Sequence, residues 1–157
     1  MSENKGIIKV KAPIPFMAGF QWSVGFQMER FIKALQKKKL LASKCPSCGY
    51  VYVPARNRCG KCNSGIEEKD NIELSGKGTL VSFAPAFVEL DGAGNWNDLE
   101  EMKIIGAVKL EGASSTVFMP LGEVEPENIE MGMPVEIKWN EKTEGTISDI
   151  KYFKPAK

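Results

Sequence analysis

From Lys44 to Gly65 the chain reads KCPSCGYVYVPARNRCGKCNSG, and this stretch decides the architecture. Cys45 and Cys48 are separated by two residues, ten residues follow, and Cys59 and Cys62 repeat the spacing. Two Cys-x2-Cys knuckles on opposing hairpin tips supply four soft ligands at tetrahedral corners, the set that zinc takes in a structural site. The gap of ten is shorter than the roughly 15–20 residues common between such knuckles, but it suffices for a short hairpin. Each knuckle must turn sharply after its second cysteine through a left-handed residue. Gly49 follows Cys48 and Asn63 follows Cys62, the two residue types that adopt that conformation at least cost. A disulfide framework asks for no such coincidence. Between the pairs, Tyr50-Val51-Tyr52-Val53 alternates aromatic and β-branched residues before Pro54, which predicts a short strand. Four thiolates close the coordination sphere and leave no position for water or substrate, so the expected Zn2+ is structural. The same ligands also suit iron.

On the N-terminal side, Met1–Gly19 is punctuated by Pro13, Pro15 and Gly19 and reads as an extended arm. In Phe20–Leu41, Val24, Met28, Phe31, Ile32 and Leu35 recur at three- and four-residue steps, an amphipathic helical pattern. Lys37, Lys38 and Lys39 fall where a helix C-terminus favours positive charge. Gly25 leaves open one helix or two short ones.

On the C-terminal side the period shortens to that of strands, expected near Leu74–Ala84, Lys103–Leu110, Thr116–Leu121, Val135–Trp139 and Thr146–Phe153. Val124–Met131 reads as one helical turn or two. Five strands with a short helix between the third and fourth is the order of an OB-type Greek-key barrel; a five-stranded sandwich fragment is the alternative. The expected fold is α+β and mainly β. It comprises an arm and helical segment over residues 1–43, a zinc ribbon over 44–69 and the barrel over 70–157.

The chain has 157 residues, 43% hydrophobic and 26% charged, the composition of an ordinary globular protein. No run approaches the 18 apolar residues of a membrane span, and Met1–Phe20 lacks the order of a signal peptide. A cytoplasmic location is therefore expected, where thiols stay reduced and read as metal ligands. Histidine is absent, which excludes Ser-His, Cys-His and His-metal catalysis. Through Lys69 there are thirteen Lys and Arg against four Asp and Glu; from Asp70 onward, eight against sixteen. Such segregation suggests different partners for the two halves.

Several stretches together resemble the DUF35 family of zinc-ribbon, OB-fold proteins associated with acyl-CoA metabolism. They are Lys39-Leu40-Leu41-Ala42-Ser43-Lys44-Cys45-Pro46-Ser47-Cys48-Gly49, Val53-Pro54-Ala55-Arg56, Cys59-Gly60-Lys61-Cys62, Ser75-Gly76-Lys77-Gly78-Thr79-Leu80-Val81-Ser82 and Ile105-Gly106-Ala107-Val108-Lys109-Leu110. The resemblance runs from about Phe20 to Pro155. It implies a non-catalytic subunit that partners a thiolase-fold enzyme in a hetero-oligomer. Some members sit between a thiolase and a hydroxymethylglutaryl-CoA synthase. Others serve catabolic thiolases acting on sterol side chains or on aromatic acyl-CoAs such as benzoylsuccinyl-CoA. Coenzyme A or an acyl-CoA is the implied ligand.

The basic residues Lys37, Lys38, Lys39, Lys44, Arg56, Arg58 and Lys61 surround the ribbon in sequence. They read either as a solvated face or as contacts to CoA phosphates or an acidic partner. Phe16, Phe20, Trp22, Phe26 and Phe31 are more than one short helix buries on a face. Core packing is expected for Phe26 and Phe31, and a partner or pantetheine contact for Phe16, Phe20 and Trp22. Glu89–Glu101 reads as a polar loop joining the first two barrel strands, with Trp96 exposed as a partner contact. Pairs such as Glu100-Glu101 carry no expected chemistry, and no phosphate-binding glycine loop is present. Single-stranded nucleic-acid binding is the alternative function for a ribbon joined to an OB barrel. The acidic barrel half argues against it. A stand-alone zinc enzyme is disfavoured by the closed ligand set.

Overall fold

The computed structural model describes residues 23–90 and 95–156. One helix, α1 (Gly25–Leu35), is followed by three short strands, β1 (Leu40–Lys44), β2 (Val51–Tyr52) and β3 (Asn71–Leu74). Five longer ones complete the chain: β4 (Lys77–Leu90), β5 (Trp96–Leu110), β6 (Thr116–Leu121), β7 (Pro134–Trp139) and β8 (Ile150–Pro155).

The helical period places Phe31 and Leu35 in the core, with Met28 and Ile32 packed beside them. Among the described residues this is one helix, starting at Gly25. Phe26 departs from its expected core position and is 80% exposed. At about 100° per residue it lies roughly 140° around the helix from Phe31. Gln27 is buried instead and accepts a 2.8 Å hydrogen bond from the Asn71 side chain.

The strand expected from Leu74 to Ala84 is two strands. Gly76 takes φ +79°, a left-handed turn that glycine makes without strain. Residues before it pair antiparallel with β1, from Leu40↔Leu74 to Ser43↔Asn71. Those after it begin the barrel. The ribbon sheet, in the order β2-β1-β3, thus draws strands from both sides of residues 45–69.

The remaining strands close a barrel in the order β4-β5-β6-β8-β7. Its ring is sealed by antiparallel β4–β7 pairing and by one parallel pair, Leu121↔Phe153 of β6 and β8. This is the OB-type Greek key, not a sandwich fragment. Between its third and fourth strands lies a 3-10 turn, Pro126–Asn128, where a helical turn was expected. The loop expected over Glu89–Glu101 is also corrected, at its described residues. β4 and β5 have 14 and 15 residues against a usual 5–6, and pair out to Leu90↔Trp96. The cross-strand pair Leu90↔Trp96 favours the extended form against the low strand propensity of Asn97, Asp98, Glu100 and Glu101.

One apolar core runs through all these parts. Phe31 and Leu35 of α1 join Leu40, Ala42, Val51 and Val53 around the ribbon sheet and Leu80, Val108, Val135, Ile137 and Phe153 of the barrel. Hydrogen bonds stitch the ribbon to the barrel at Ser114 and Ser115, between β5 and β6. Val51 N–H donates to Ser114 Oγ and Val53 N–H to Ser115 Oγ, both at 3.0 Å, while Ser114 N–H donates to Val51 C=O at 2.9 Å. Ser114→Ala removes the acceptor for a backbone donor on a buried strand. It should cost about 1–2 kcal/mol in urea unfolding.

A further tie holds the turn before β8 to α1. Thr143 Oγ1 donates to Gln36 C=O at 2.6 Å. Buried Asp149 accepts from the N–H groups of Glu144, Gly145 and Thr146 at 2.9, 2.8 and 3.2 Å. Burial works to raise the Asp149 pKa, but these donors together hold it below the ordinary carboxylate value. A depressed folded-state pKa gives stability that is full above the unfolded value of about 3.9. That stability is lost as pH falls through the folded value. Asp149→Asn should cost about 1–3 kcal/mol at pH 7 and flatten the acid limb of the stability curve. Urea titrations at pH 7 and at pH 3 check both.

Candidate metal centre

The two knuckles are built alike. In the first, Gly49 N–H donates to Cys45 C=O at 2.9 Å and Cys45 N–H to Tyr50 C=O at 2.8 Å. In the second, Asn63 N–H donates to Cys59 C=O and Cys59 N–H to Ser64 C=O, both at 2.9 Å. The residues expected to be left-handed are so, with φ +72° at Gly49 and +60° at Asn63. Arg58 secures the second knuckle by donating to the Asn63 carbonyl at 2.9 Å and to its Oδ1 at 3.2 Å.

These turns aim four sulfurs at one point. Cys45 and Cys62 Sγ are 3.5 Å apart, Cys48 and Cys59 Sγ 3.6 Å apart, and all four lie within 4.8 Å of one another. Tetrahedral zinc with bonds of about 2.3 Å sets its sulfurs about 3.8 Å apart, so the set fits that ion. Cys45 and Cys59 are buried; Cys48 and Cys62 face outward.

Tyr52 lies beneath the second knuckle. Its hydroxyl accepts from the N–H groups of Gly60 and Lys61 at 2.9 and 3.2 Å and sits 3.3 Å from Cys59 Sγ. Donation from this hydroxyl is the main reason the Cys59 thiol is drawn down to about 6. At Cys48 a backbone hydrogen bond from Tyr50 favours the thiolate, but desolvation and the three neighbouring cysteines push its pKa up to about 12. Four sulfurs this close do not all ionise unaided. A bound dication offsets their mutual repulsion, and the arrangement is a metal-binding site of the zinc-ribbon kind.

The family model described as "ChsH2, rubredoxin-like zinc ribbon domain" matches residues 33–67. Over 122 residues the chain is 30% identical to a DUF35 domain-containing scaffold protein of Methanocaldococcus jannaschii, covering 74% of this chain and 81% of that one. The chain belongs to the DUF35 family. A second DUF35 domain-containing scaffold protein, from Methanothermobacter thermautotrophicus, is 30% identical over 76% of this chain and 89% of its own. A probable enoyl-CoA hydratase alpha subunit of Thermomonospora curvata is 26% identical over 71% of this chain, which spans only 32% of that protein. Among solved structures, a chain of the Ltp2-ChsH2(DUF35) aldolase shares the fold at TM-score 0.61 and 21% identity, over 87% of this DUF35 chain and all of that one. A DUF35 protein of Sulfolobus solfataricus shares it at TM-score 0.53 and 24% identity, over 69% of this chain and 75% of its own.

The basic residues of this DUF35 chain do not converge on one spot. Arg56 and Arg58 line a cleft with Val24–Met28 at the start of α1, and the Arg56 guanidinium lies 5.2 Å from the centre of the Tyr52 ring. Lys37 and Lys38 are exposed in the turn after α1, at the opposite end of that helix. Lys39 is bound to Glu73 at 2.7 Å. Lys44 ends β1, and Lys61 is an exposed residue of the second knuckle. Trp96 opens β5 and is 72% exposed. Phe16, Phe20 and Trp22 lie outside the described residues.

Two contributors escaped the sequence reading. Tyr52 registered only as a strand aromatic, although its place in an alternating run flanked by cysteines marks an inward side chain. Ser114 and Ser115 carry no local signal, because their partners at Val51 and Val53 are more than sixty residues away. No helix among the described residues is long and apolar enough to cross a membrane.

Proposed function

We propose that this protein is the non-catalytic zinc-ribbon, OB-fold subunit of a thiolase-type acyl-CoA enzyme, in a cytoplasmic hetero-oligomer. The observation that carries this reading is the closed set of four cysteines in a chain without histidine. Its zinc holds the ribbon in shape, and Cys45, Cys48, Cys59 and Cys62 are its ligands. With the thiols committed to the metal, the thiol and imidazole that thiolase chemistry needs must come from the partner. The curated relatives named as scaffold proteins support the reading. The relative named as a hydratase subunit supports the link to acyl-CoA.

The division of labour follows the parts. Along the sequence, the residues through Lys69 carry the positive balance and those from Asp70 onward the negative one. Arg56 and Arg58, beside the first turn of α1, are the pair best disposed for CoA phosphates, since a helix N-terminus and guanidinium groups both favour anions. Lys37, Lys38, Lys39, Lys44 and Lys61 add a weaker positive field. Phe16, Phe20, Trp22 and Trp96 are partner or pantetheine contacts. The acyl group is that of a catabolic thiolase, such as an aromatic acyl-CoA thiolase, or of a thiolase and hydroxymethylglutaryl-CoA synthase pair.

Co-expression with candidate thiolase subunits, with a purification tag on this chain, tests the proposal. Stoichiometric recovery of a thiolase whose activity needs this protein is expected. A chain that purifies as an inert monomer and ignores every thiolase and CoA overturns it. Single-stranded nucleic-acid binding predicts instead a complex that weakens steeply with salt.

A further inference from the structure

The outer arm of the β4–β5 hairpin does not belong to the barrel wall. β5 pairs with β6 only from Ile104 to Lys109, and Pro85 is the β4 partner of Ile104. Beyond that point, among the described residues, the two strands pair only with each other. Five further residues carry β4 to Leu90, about 17 Å at 3.3 Å per residue. At its base Ala86 pairs with Lys103 and Val88 with Asp98, so Phe87 stands opposite the four residues Leu99–Met102. A bulge of that kind bends and twists a hairpin away from its sheet.

An isolated two-stranded ribbon is marginal in water, and this one is apolar on both faces. Leu90 and Trp96 are cross-strand partners and share a face; they are 57% and 72% exposed. On the other face Phe87 is 62% exposed, and that face runs back into the barrel wall through Pro85 and Phe83. Val88 and Met102 add further exposed apolar surface. Around them stand Glu89, Asp98, Glu100 and Glu101 against the single Lys103, which is bound to Glu89 at 3.0 Å.

We infer that this hairpin is the arm by which the chain docks on its enzyme subunit. It inserts into a protein surface that is apolar at the centre and basic at the rim. The inference rests on the scaffold reading above and names its surface. The charge pattern selects the occupant. A second copy, joined by a two-fold axis, sets the same carboxylates against one another, and like charges facing across an interface cost several kcal/mol. Nucleic acid and anionic lipid are repelled by the same groups. A basic-rimmed protein surface satisfies both the apolar centre and the carboxylates, and Trp and Phe anchors ringed by polar groups are the usual anatomy of a binding hot spot.

The full zinc-loaded chain, titrated by calorimetry with the thiolase subunit it co-purifies with, tests this. The variants are F87S/W96S, E100K/E101K and, as a control on β6, F118S at an exposed phenylalanine outside the arm. All three change exposed side chains, so circular dichroism and zinc content should match the wild type. F87S/W96S should weaken binding at least about 30-fold. E100K/E101K should weaken it about tenfold at low salt, with the difference shrinking as salt rises. F118S should bind as the wild type does. Wild-type binding that survives F87S/W96S unchanged overturns the docking arm and leaves the scaffold reading standing. A wild type that binds no thiolase subunit overturns the scaffold reading, and this inference with it. A wild-type dimer that F87S/W96S dissolves makes the occupant a second copy and also overturns it.

Discussion

Replacing Cys59 by serine, or stripping the metal with a chelator, is expected to melt the two knuckles and strand β2. Residues 45–66 should lose amide protection while the barrel strands keep theirs at reduced stability. The ribbon end has little else to hold it. Apart from the cysteines, its own core is Tyr52 and Ile66 with Tyr50 packed alongside. Zinc at a structural site of this type is worth about 10–16 kcal/mol, as much as the whole stability of an ordinary domain at roughly 5–15 kcal/mol. The damage should reach the barrel, because Val51 and Val53 belong to the common core and bind Ser114 and Ser115. Hydrogen exchange followed by mass spectrometry, with metal analysis, reads the result. One zinc per chain and full protection should return when zinc is restored to the wild type, but not to the Cys59→Ser variant. Equal protection in the presence and absence of metal would remove the structural role.

The second large effect is expected at Gly78, where β4 lies between β5 and β7. A Cβ built there would stand 2.5 Å from the Lys109 carbonyl oxygen, 2.9 Å from Val108 Cγ1 and 3.0 Å from Leu110 Cα. Two of these are backbone atoms held in the β4–β5 ladder, where Gly78 pairs with Leu110 and Thr79 with Lys109. On its other edge Gly78 pairs with Val135, one of three pairings that close the barrel. Neither side yields without breaking ladder bonds. Gly78→Ala should therefore sit at or beyond the upper end of the usual overpacking cost, about 3 kcal/mol, lowering Tm by about 6–12 °C in a chain of this size. Gly65→Ala is the matched control, since its Cβ would meet nothing within 4 Å, and it should leave Tm nearly unchanged. Differential scanning calorimetry on the two zinc-loaded variants separates a packing defect from a general intolerance of alanine.

The Ser75-Gly76-Lys77-Gly78 stretch shows how far a motif can be read. As a pattern it supported the family resemblance and was read inside one continuous strand. That Gly78 must admit a neighbouring backbone depends on where β5 lies, thirty residues on. The knuckles contrast with this. Gly49 and Asn63 were legible as left-handed because the turn that needs them is made by adjacent residues. Phe26 and Phe31 were read alike from composition, although the helical period, which Phe31 keeps and Phe26 breaks, separates them. The polar stretch at 89–101 looked like a loop because composition reports solvent exposure, and an exposed hairpin is as polar at its edges as a loop is.

The sequence by itself marked out the four-cysteine cluster, the knuckle turns, the helix and the order of the barrel strands. Each of these rests on contacts within a few residues or on a period that local geometry imposes. Tertiary structure alone decided that β1 and β3 join the ribbon to make one sheet, that Ser114 and Ser115 fasten that sheet to the barrel, and that β4 and β5 outrun the ring as an uncovered arm. Those features are set by pairings between residues far apart in the chain, whose free energy depends on which surfaces meet. No window of sequence records that meeting.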